Sequence, residues 1–157
     1  MRHIHAFLLA LAAVCLPAVI PAADFAPAQL QGFPRDTLRI ESSAGLVDLQ
    51  IWLADTPDRQ QQGLMFLTAL PAGYGMLFPV QPARVMTMWM KNTYVSLDML
   101  FIGADGRVVR IARDAKPLSE DIISSGAAVA AVLEIRAGES KRLGLREGSR
   151  IQYRLFR

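Results

Sequence analysis

The 157-residue chain is poor in the side chains on which many enzymes depend, with one cysteine and two histidines. All three, Cys15, His3 and His5, lie close to the amino terminus. If that segment is removed, the remaining chain has no thiol, no imidazole and no internal disulfide. Serine–histidine and cysteine–histidine hydrolases and His/Cys zinc sites are then excluded. Any catalysis would depend on carboxylates, lysine, tyrosine or hydroxyl groups.

Residues 1–23 have the pattern of a secretory signal peptide, because a cationic start is followed by a long uncharged run that ends in small residues. We expect cleavage after Ala22 or Ala23 and export of the remainder to the periplasm or the medium. An uncleaved membrane anchor is the main alternative. Two prolines near the end of the run disfavour an anchor, and lipid modification of Cys15 is a third, less favoured interpretation.

The charge of the chain is nearly balanced, at a formal +3. This is too weak for a general nucleic-acid footprint, so we expect no nucleic-acid partner. Contact with a membrane is expected only through an uncleaved signal segment or through a basic edge formed by Arg150, Gln152 and Arg154. That edge is more simply interpreted as the solvated side of an outer strand, and Arg59 as a cation on a helix surface.

The pattern of apolar residues predicts one β-rich domain over residues 37–157, preceded by a flexible leader at 24–36. Alternation on either side of Ser42 and Gly45 predicts a hairpin, and Asp105-Gly106 predicts another. Thr56-Pro57 can begin a short helix, and residues 139–144 a helical turn. Seven or eight short strands with one or two short helices predict a mainly β, compact antiparallel barrel or sandwich.

Short motifs along the domain resemble the family called domain of unknown function 192. They are GLMF at 63–66, GMLF at 75–78, WMKNT at 89–93, LD at 97–98, FI-x-x-DG at 101–106, LE-x-x-AG at 133–138 and LG-x-x-x-G ending at 148. The resemblance extends over about residues 37–152. It implies a compact, jelly-roll-like β domain that is often exported, and it implies no established activity.

Four positions depart from the family pattern. Gln62 replaces an arginine that usually precedes GLMF, and Ser96 replaces a proline before LD. Met88 lies where an aromatic residue is common, and Met86 where small or branched residues are common. The fold implied by the resemblance survives these changes, but an anion site built on the arginine is less expected here.

The first candidate site consists of Lys91, Asp98 and Glu134. Asp98 lies in a strand that is apolar on both faces, so its carboxylate needs a buried partner. If residues 92–95 form a hairpin loop, Trp89 lies opposite Asp98, and the Trp89 indole or Lys91 could be that partner. Glu134 has similar surroundings in VAAVLEI. These groups form either an acid–base pair with a lysine or a structural polar network, and we favour the network.

The second candidate site consists of methionines. Strand alternation places Met86, Met88 and Met90 on one face. Thioethers are ligands that suit Cu(I), which an exported protein would meet. The alternative, which we favour, is that these methionines fill gaps in the core. We expect no other cofactor.

The sequence thus predicts an exported, non-catalytic binding or interaction module. We expect its partner, a small ligand of the cell envelope or a protein, to contact Trp89, Lys91, Asn92, Thr93 and Asp98. Asn92 and Thr93 could instead only shape the turn after their strand. An enzyme that uses Asp98 and Glu134 is the main alternative of another class.

Overall fold

The computed structural model describes residues 25–156, which form a curled seven-stranded sheet. The strands are β1 (Arg35–Ser42), β2 (Gly45–Leu53), β3 (Tyr74–Met88), β4 (Leu97–Ile102), β5 (Val108–Ala115), β6 (Ile123–Arg136) and β7 (Ile151–Gln152). The helices are a 3₁₀ turn (Ala28–Leu30), α1 (Pro57–Gln62) and α2 (Glu139–Arg142). The predicted signal peptide, its cleavage site and Cys15 lie outside the described residues. None of the helices within residues 25–156 is long and apolar enough to cross a membrane.

The order of strands across the sheet is β5-β4-β6-β3-β2-β1-β7. All neighbouring pairs are antiparallel except β2 and β3, which are parallel and are connected through α1. The two ends of the sheet meet, because the Ile151 N–H donates to the Gly106 carbonyl at 2.8 Å and the Val108 N–H to the Ser149 carbonyl at 2.9 Å. The prediction of a mainly β, barrel-like fold with two short helices is therefore confirmed, with one parallel pair added.

Both predicted hairpins are present. In the first, Leu38 pairs with Leu49, and the turn closes with Ser42 opposite Gly45. In the second, Gly106 follows β4 with φ 76°, and a Cβ there would lie 2.6 Å from the Ile151 carbonyl oxygen. Only glycine fits this position, since the backbone is left-handed and the two ends of the sheet meet beside it.

Apolar side chains cover both faces of the sheet in two clusters. Strand β4 contributes to both, because Leu97, Met99 and Phe101 lie in one cluster and Leu100 and Ile102 in the other. All six residues of β4 are buried, which confirms the prediction of a strand covered on both sides. This double burial explains why a polar residue within β4 or its neighbour β6 needs a specific partner or a cavity.

The predicted flexible leader is wrong for residues 25–34. Leu30 and Phe33 are only 3% and 8% exposed, and the Phe25 ring lies 5.4 Å from the Tyr74 ring and 5.9 Å from the Trp52 ring. The segment lacks a periodic pattern because it follows the surface of the core as a 3₁₀ turn and irregular chain. Its few apolar residues nevertheless complete the cluster around Trp52.

Two strands depart from simple regular pairing. Strand β3 runs continuously over Tyr74–Met88, although its pairing with β6 shifts in register between Pro79 and Arg84. Strand β7 is short, since only Ile151 and Gln152 pair with β1.

Candidate functional site

A cavity of about 100 Å³ lies between α1 and the second half of β3. Its wall consists of glutamine side chains from α1, mainly apolar side chains from β3 and from the segment after α1, three side chains from the segment after β3, and Glu134 from β6. The lining residues include Gln60, Gln61, Gln62, Leu64, Met65, Phe78, Met86, Met88, Trp89, Lys91, Thr93 and Glu134. Pockets for drug-sized ligands measure about 300–1,000 Å³. This cavity is therefore suited to an ion or to a small group of atoms.

Local sequence signals place α1 at the cavity. The Thr56 hydroxyl oxygen accepts a hydrogen bond from the Arg59 N–H at 3.3 Å, and Pro57 occupies the first turn, as predicted. Gly63 ends the helix with φ 50°, and a Cβ there would lie 3.4 Å from the Phe78 ring. The glycine thus lets the chain turn closely over Phe78, which brings residues 64 and 65 to the cavity wall.

Glu134 is the distinctive polar group of the cavity. It lies near the carboxyl end of β6 between Met76 on β3 and Met99 on β4, and it is only 4% exposed. Burial raises the pKa of its carboxyl group to about 8. No hydrogen bond or ion pair from residues 25–156 reaches this carboxyl group. Its oxygen atoms are not among the fully buried, unpaired ones of these residues, so they keep some contact with solvent where Glu134 lines the cavity.

Asp98 has a different environment, and its predicted partners are wrong. Its two carboxylate oxygens accept backbone hydrogen bonds from the Asp114 N–H and the Ser140 N–H, both at 3.0 Å. The predicted hairpin register with Trp89 opposite Asp98 does not form, because β6 lies between β3 and β4. Asp98 does not line the cavity and is not brought together with Glu134. The two carboxyl groups therefore form neither the favoured polar network with each other nor the alternative acid–base pair.

Trp89 and Lys91 lie together at the cavity. The Lys91 ammonium nitrogen is 5.4 Å from the centroid of the Trp89 ring, a cation–π arrangement, and Trp89 is 43% exposed. Thr93 lines the same cavity but is buried, and its hydroxyl group donates to the Lys91 carbonyl at 3.2 Å. Three of the five predicted ligand contacts therefore share one cavity.

Asn92 shapes the turn beside the cavity. Its φ is 54°, a left-handed conformation that asparagine tolerates, and its carbonyl accepts from the Phe66 N–H at 2.8 Å. Its side-chain amide donates to the Met65 sulfur at 3.9 Å. Asn92 thus connects the turn to the GLMF segment rather than lining the cavity itself.

The predicted methionine face is only partly present. Met86 and Met88 are half-buried and line the cavity, whereas Met90 is 1% exposed and packs in the core. Alternation fails at Met90 because β3 ends at Met88, and the chain then turns. Met65 from the segment after α1 lines the cavity in its place. Within residues 25–156 no group of three Asp, Glu, His or Cys side chains could hold a metal ion.

Sequence reasoning did not assign Met65, Leu64 or the α1 glutamines to the site. The signal was present, because GLMF was one of the motifs that carried the family resemblance. It did not indicate a site, because α1 lies in the long connection between β2 and β3. Local sequence patterns do not reveal that this connection packs beside the end of β3.

The predicted basic edge is partly neutralised. Arg154 pairs with Asp36, and the Gln152 amide donates to Glu41 at 2.7 Å. Arg150 lies 3.9 Å from Glu41. Arg59 is also paired, with its guanidinium 2.6 Å from Asp55. These contacts agree with the interpretation of both regions as solvated surfaces.

Comparison with known proteins identifies the family. Residues 38–153 match the model of domain of unknown function 192, whose description is "Uncharacterized ACR". The chain belongs to this family. The match confirms the resemblance that the short motifs indicated, and it assigns no activity to the domain.

Two solved structures share the fold. One is a protein from Sinorhizobium meliloti, provisionally named a transcription regulator, with 43% identity and a TM-score of 0.74 over 76% of this chain and 94% of that chain. The other is a protein of unknown function from Novosphingobium aromaticivorans, with 35% identity and a TM-score of 0.76 over 78% of this chain and 88% of that chain. No curated protein gives a significant match.

Proposed function

We propose that this domain is an exported binding module that holds a small ligand in the cavity between α1 and β3. The observation that carries the proposal is Glu134, a buried carboxyl group that faces this cavity with no hydrogen-bond partner from residues 25–156. A nearly buried carboxyl group that is paired by no protein group often marks a functional site. A bound ligand would replace solvent as its partner.

The chemistry of the cavity wall supports binding of a group with positive charge or with hydrogen-bond donors. Burial raises the pKa of Glu134 to about 8, which favours its neutral form at neutral pH. A cation or a donor beside it would stabilise the ionised form and offset the desolvation of the carboxylate. Trp89 and the α1 glutamines would contact the rest of such a ligand.

Binding is favoured over catalysis because of the groups that line the cavity. Lys91 is the other titratable side chain among them, and none of the lining residues offers a second carboxylate or a cysteine. General acid–base chemistry would therefore depend on Glu134 and Lys91 alone. Asp98, the second carboxylate of the alternative enzyme hypothesis, accepts hydrogen bonds from backbone N–H groups on the other side of the sheet.

The pattern of residues 1–23 supports export. An exported protein would not regulate transcription, which is the role that the name of the S. meliloti relative suggests for that protein. Regulation of transcription by DNA contact typically depends on a clustered basic surface. Arg150 and Arg154 of the basic edge each lie beside a carboxylate. We therefore favour a ligand or protein of the cell envelope as partner, and we do not propose a nucleic acid.

Mass spectrometry of the full-length chain, produced in a Gram-negative host and recovered from its fractions, tests both parts of the proposal. We expect a periplasmic product cleaved after Ala22 or Ala23, and under native conditions an added mass that Glu134→Gln removes. Glu147→Gln is the matched control, because Glu147 is exposed and does not line the cavity. An uncleaved cytoplasmic product would contradict export. An added mass that persists in Glu134→Gln would contradict the cavity as the binding site.

A further inference from the structure

The six methionines in the described residues divide into two sets of three. Met76, Met90 and Met99 are at most 1% exposed and pack in the core. Met65, Met86 and Met88 are half-buried and line the same cavity as Glu134. Core filling explains the first set, since methionine adapts well to irregular apolar gaps. Met86 and Met88 also pack against this core cluster, but core filling does not require that they and Met65 line one cavity beside a nearly buried carboxyl group.

Three thioethers and one carboxyl group form a donor set with a clear preference. Thioether sulfur is a soft, neutral ligand that selects Cu(I) among the common metal ions, whereas carboxylates alone favour harder ions. A cavity of about 100 Å³ has room for an ion, although not for a drug-sized molecule. A bound monocation would also give Glu134 the opposite charge that residues 25–156 do not supply.

We propose that Met65, Met86 and Met88 bind one Cu(I) ion in this cavity, with the Glu134 carboxylate as its anionic neighbour. The inference rests on the proposed binding function and names its ligand class. The Met65 sulfur accepts a hydrogen bond from the Asn92 amide at 3.9 Å, which orients this side chain and leaves a second lone pair for the metal. The Lys91 ammonium lies over the Trp89 ring, where the aromatic face stabilises its charge.

The inference revises the ligand set that strand alternation predicted. Alternation selects Met86, Met88 and Met90, whereas the cavity selects Met65 in place of Met90. The two sets of ligands share Met86 and Met88 and differ only in Met65 or Met90. Separate substitutions of Met65 and of Met90 therefore distinguish them. Leucine is the suitable replacement, because it conserves volume and removes the sulfur.

An anaerobic titration with Cu(I) alone, in competition with the chromophoric chelator bicinchoninate, measures stoichiometry and affinity. The protein is produced from the full-length sequence and processed by the host, and we expect it to bind one Cu(I) per chain. We expect Met65→Leu, Met86→Leu and Met88→Leu each to weaken binding at least tenfold, because loss of a residue that only orients a metal ligand already costs about 10- to 100-fold. Met90→Leu should bind like the unmodified protein. Absence of a one-to-one complex, or equal affinity in all four variants, would overturn the proposal.

A second measurement needs no substitution and so does not depend on how the variants fold. In protein labelled with ¹³C at the methionine methyl groups, Cu(I) should shift the signals of Met65, Met86 and Met88 and leave those of Met76 and Met99 nearly unchanged. Unshifted cavity methyls would overturn the copper site. If native mass spectrometry then still shows an organic mass that Glu134→Gln removes, the proposed binding function stands without copper. If Glu134→Gln retains that mass, the proposed function fails as well.

Discussion

Asp98 and Glu134 lie on adjacent strands, yet their side chains occupy opposite faces of the sheet. In the register of β4 and β6, Asp98 pairs with Ile135, and Glu134 pairs with Met99. Neighbouring positions along a strand alternate between faces, so this offset of one residue separates the two carboxyl groups. Asp98 consequently satisfies backbone groups beside α2, whereas Glu134 faces the cavity beside α1.

Replacement of Asp98 by alanine is expected to destabilise the domain strongly. Asp98→Ala removes the acceptor of two backbone N–H groups, those of Asp114 and Ser140, at a fully buried position. Leaving these donors unpaired should lower the free energy of unfolding by about 2–4 kcal/mol, measured by urea denaturation. Asp58→Ala, at an exposed helical position, should change it by less than about 1 kcal/mol. Equal effects of the two substitutions would contradict the structural assignment of Asp98.

Local signals explain which parts of the fold could be predicted from sequence. The turn at Gly45, the hairpin at Asp105-Gly106 and the start of α1 at Thr56 each depend on a few neighbouring residues. The burial of β4 on both sides follows from its own apolar pattern. In each of these cases, the residues that determine the structure lie close together in the chain.

Long-range pairing explains what could not be predicted. Strand β6 inserts between β3 and β4, so the expected register of Trp89 with Asp98 has no basis in the fold. The end of β3 at Met88 removes Met90 from the methionine face. Which strand lies beside which is decided by packing of the whole sheet, and a single sequence has no local pattern for that choice.

The segment before β1 provides a second test of the fold. Leu30 is 3% exposed and belongs to the core cluster around Trp52. Leu30→Ala should lower the free energy of unfolding by about 2–4 kcal/mol, because buried leucine truncations leave a cavity. Gln31→Ala, at the next and exposed position, is the control and should stay within about 0.5 kcal/mol. An effect of Leu30→Ala as small as that of the control would support the prediction that this segment is a flexible leader.

Glu139 should stabilise the domain above acidic pH. Its carboxylate is 1% exposed and lies 2.5 Å from Arg142, and this hydrogen-bonded pairing lowers its pKa from the ordinary 4.5. A lowered pKa means that the unfolded chain binds the proton more readily, so the stabilisation is present above the ordinary value and disappears as the pH falls through the folded value.

Glu139→Gln should therefore lower the free energy of unfolding near neutral pH by about 1–3 kcal/mol, with the lower end favoured because Arg142 is largely solvated. The difference from the unmodified protein should shrink steadily in urea titrations repeated at lower pH. Glu147→Gln is again the exposed control. A difference that is independent of pH would show that packing rather than charge accounts for the loss.

Glu134 should have the opposite pH dependence. Burial raises its pKa to about 8 from the ordinary 4.5. Between these two values the folded protein retains a proton that the unfolded chain has lost, so the free energy of unfolding falls as the pH rises. At about 1.4 kcal/mol for each pH unit, the loss approaches about 5 kcal/mol as an upper limit. Lys91, the charged group that lines the same cavity, would reduce it if its ammonium approached the carboxylate.

Glu134→Gln should abolish this loss, because glutamine resembles the protonated carboxyl group in size and stays neutral. We expect nearly equal free energies of unfolding for the variant and the unmodified protein near about pH 4.5, and a gain of several kcal/mol for the variant near about pH 9. Urea denaturation across this range, in metal-free buffer, measures the difference, with Glu147→Gln as the control. Parallel pH profiles for all three proteins would mean that the pKa of Glu134 is the same in the folded and the unfolded chain. The carboxyl group would then lack the desolvated character on which the proposed binding function depends.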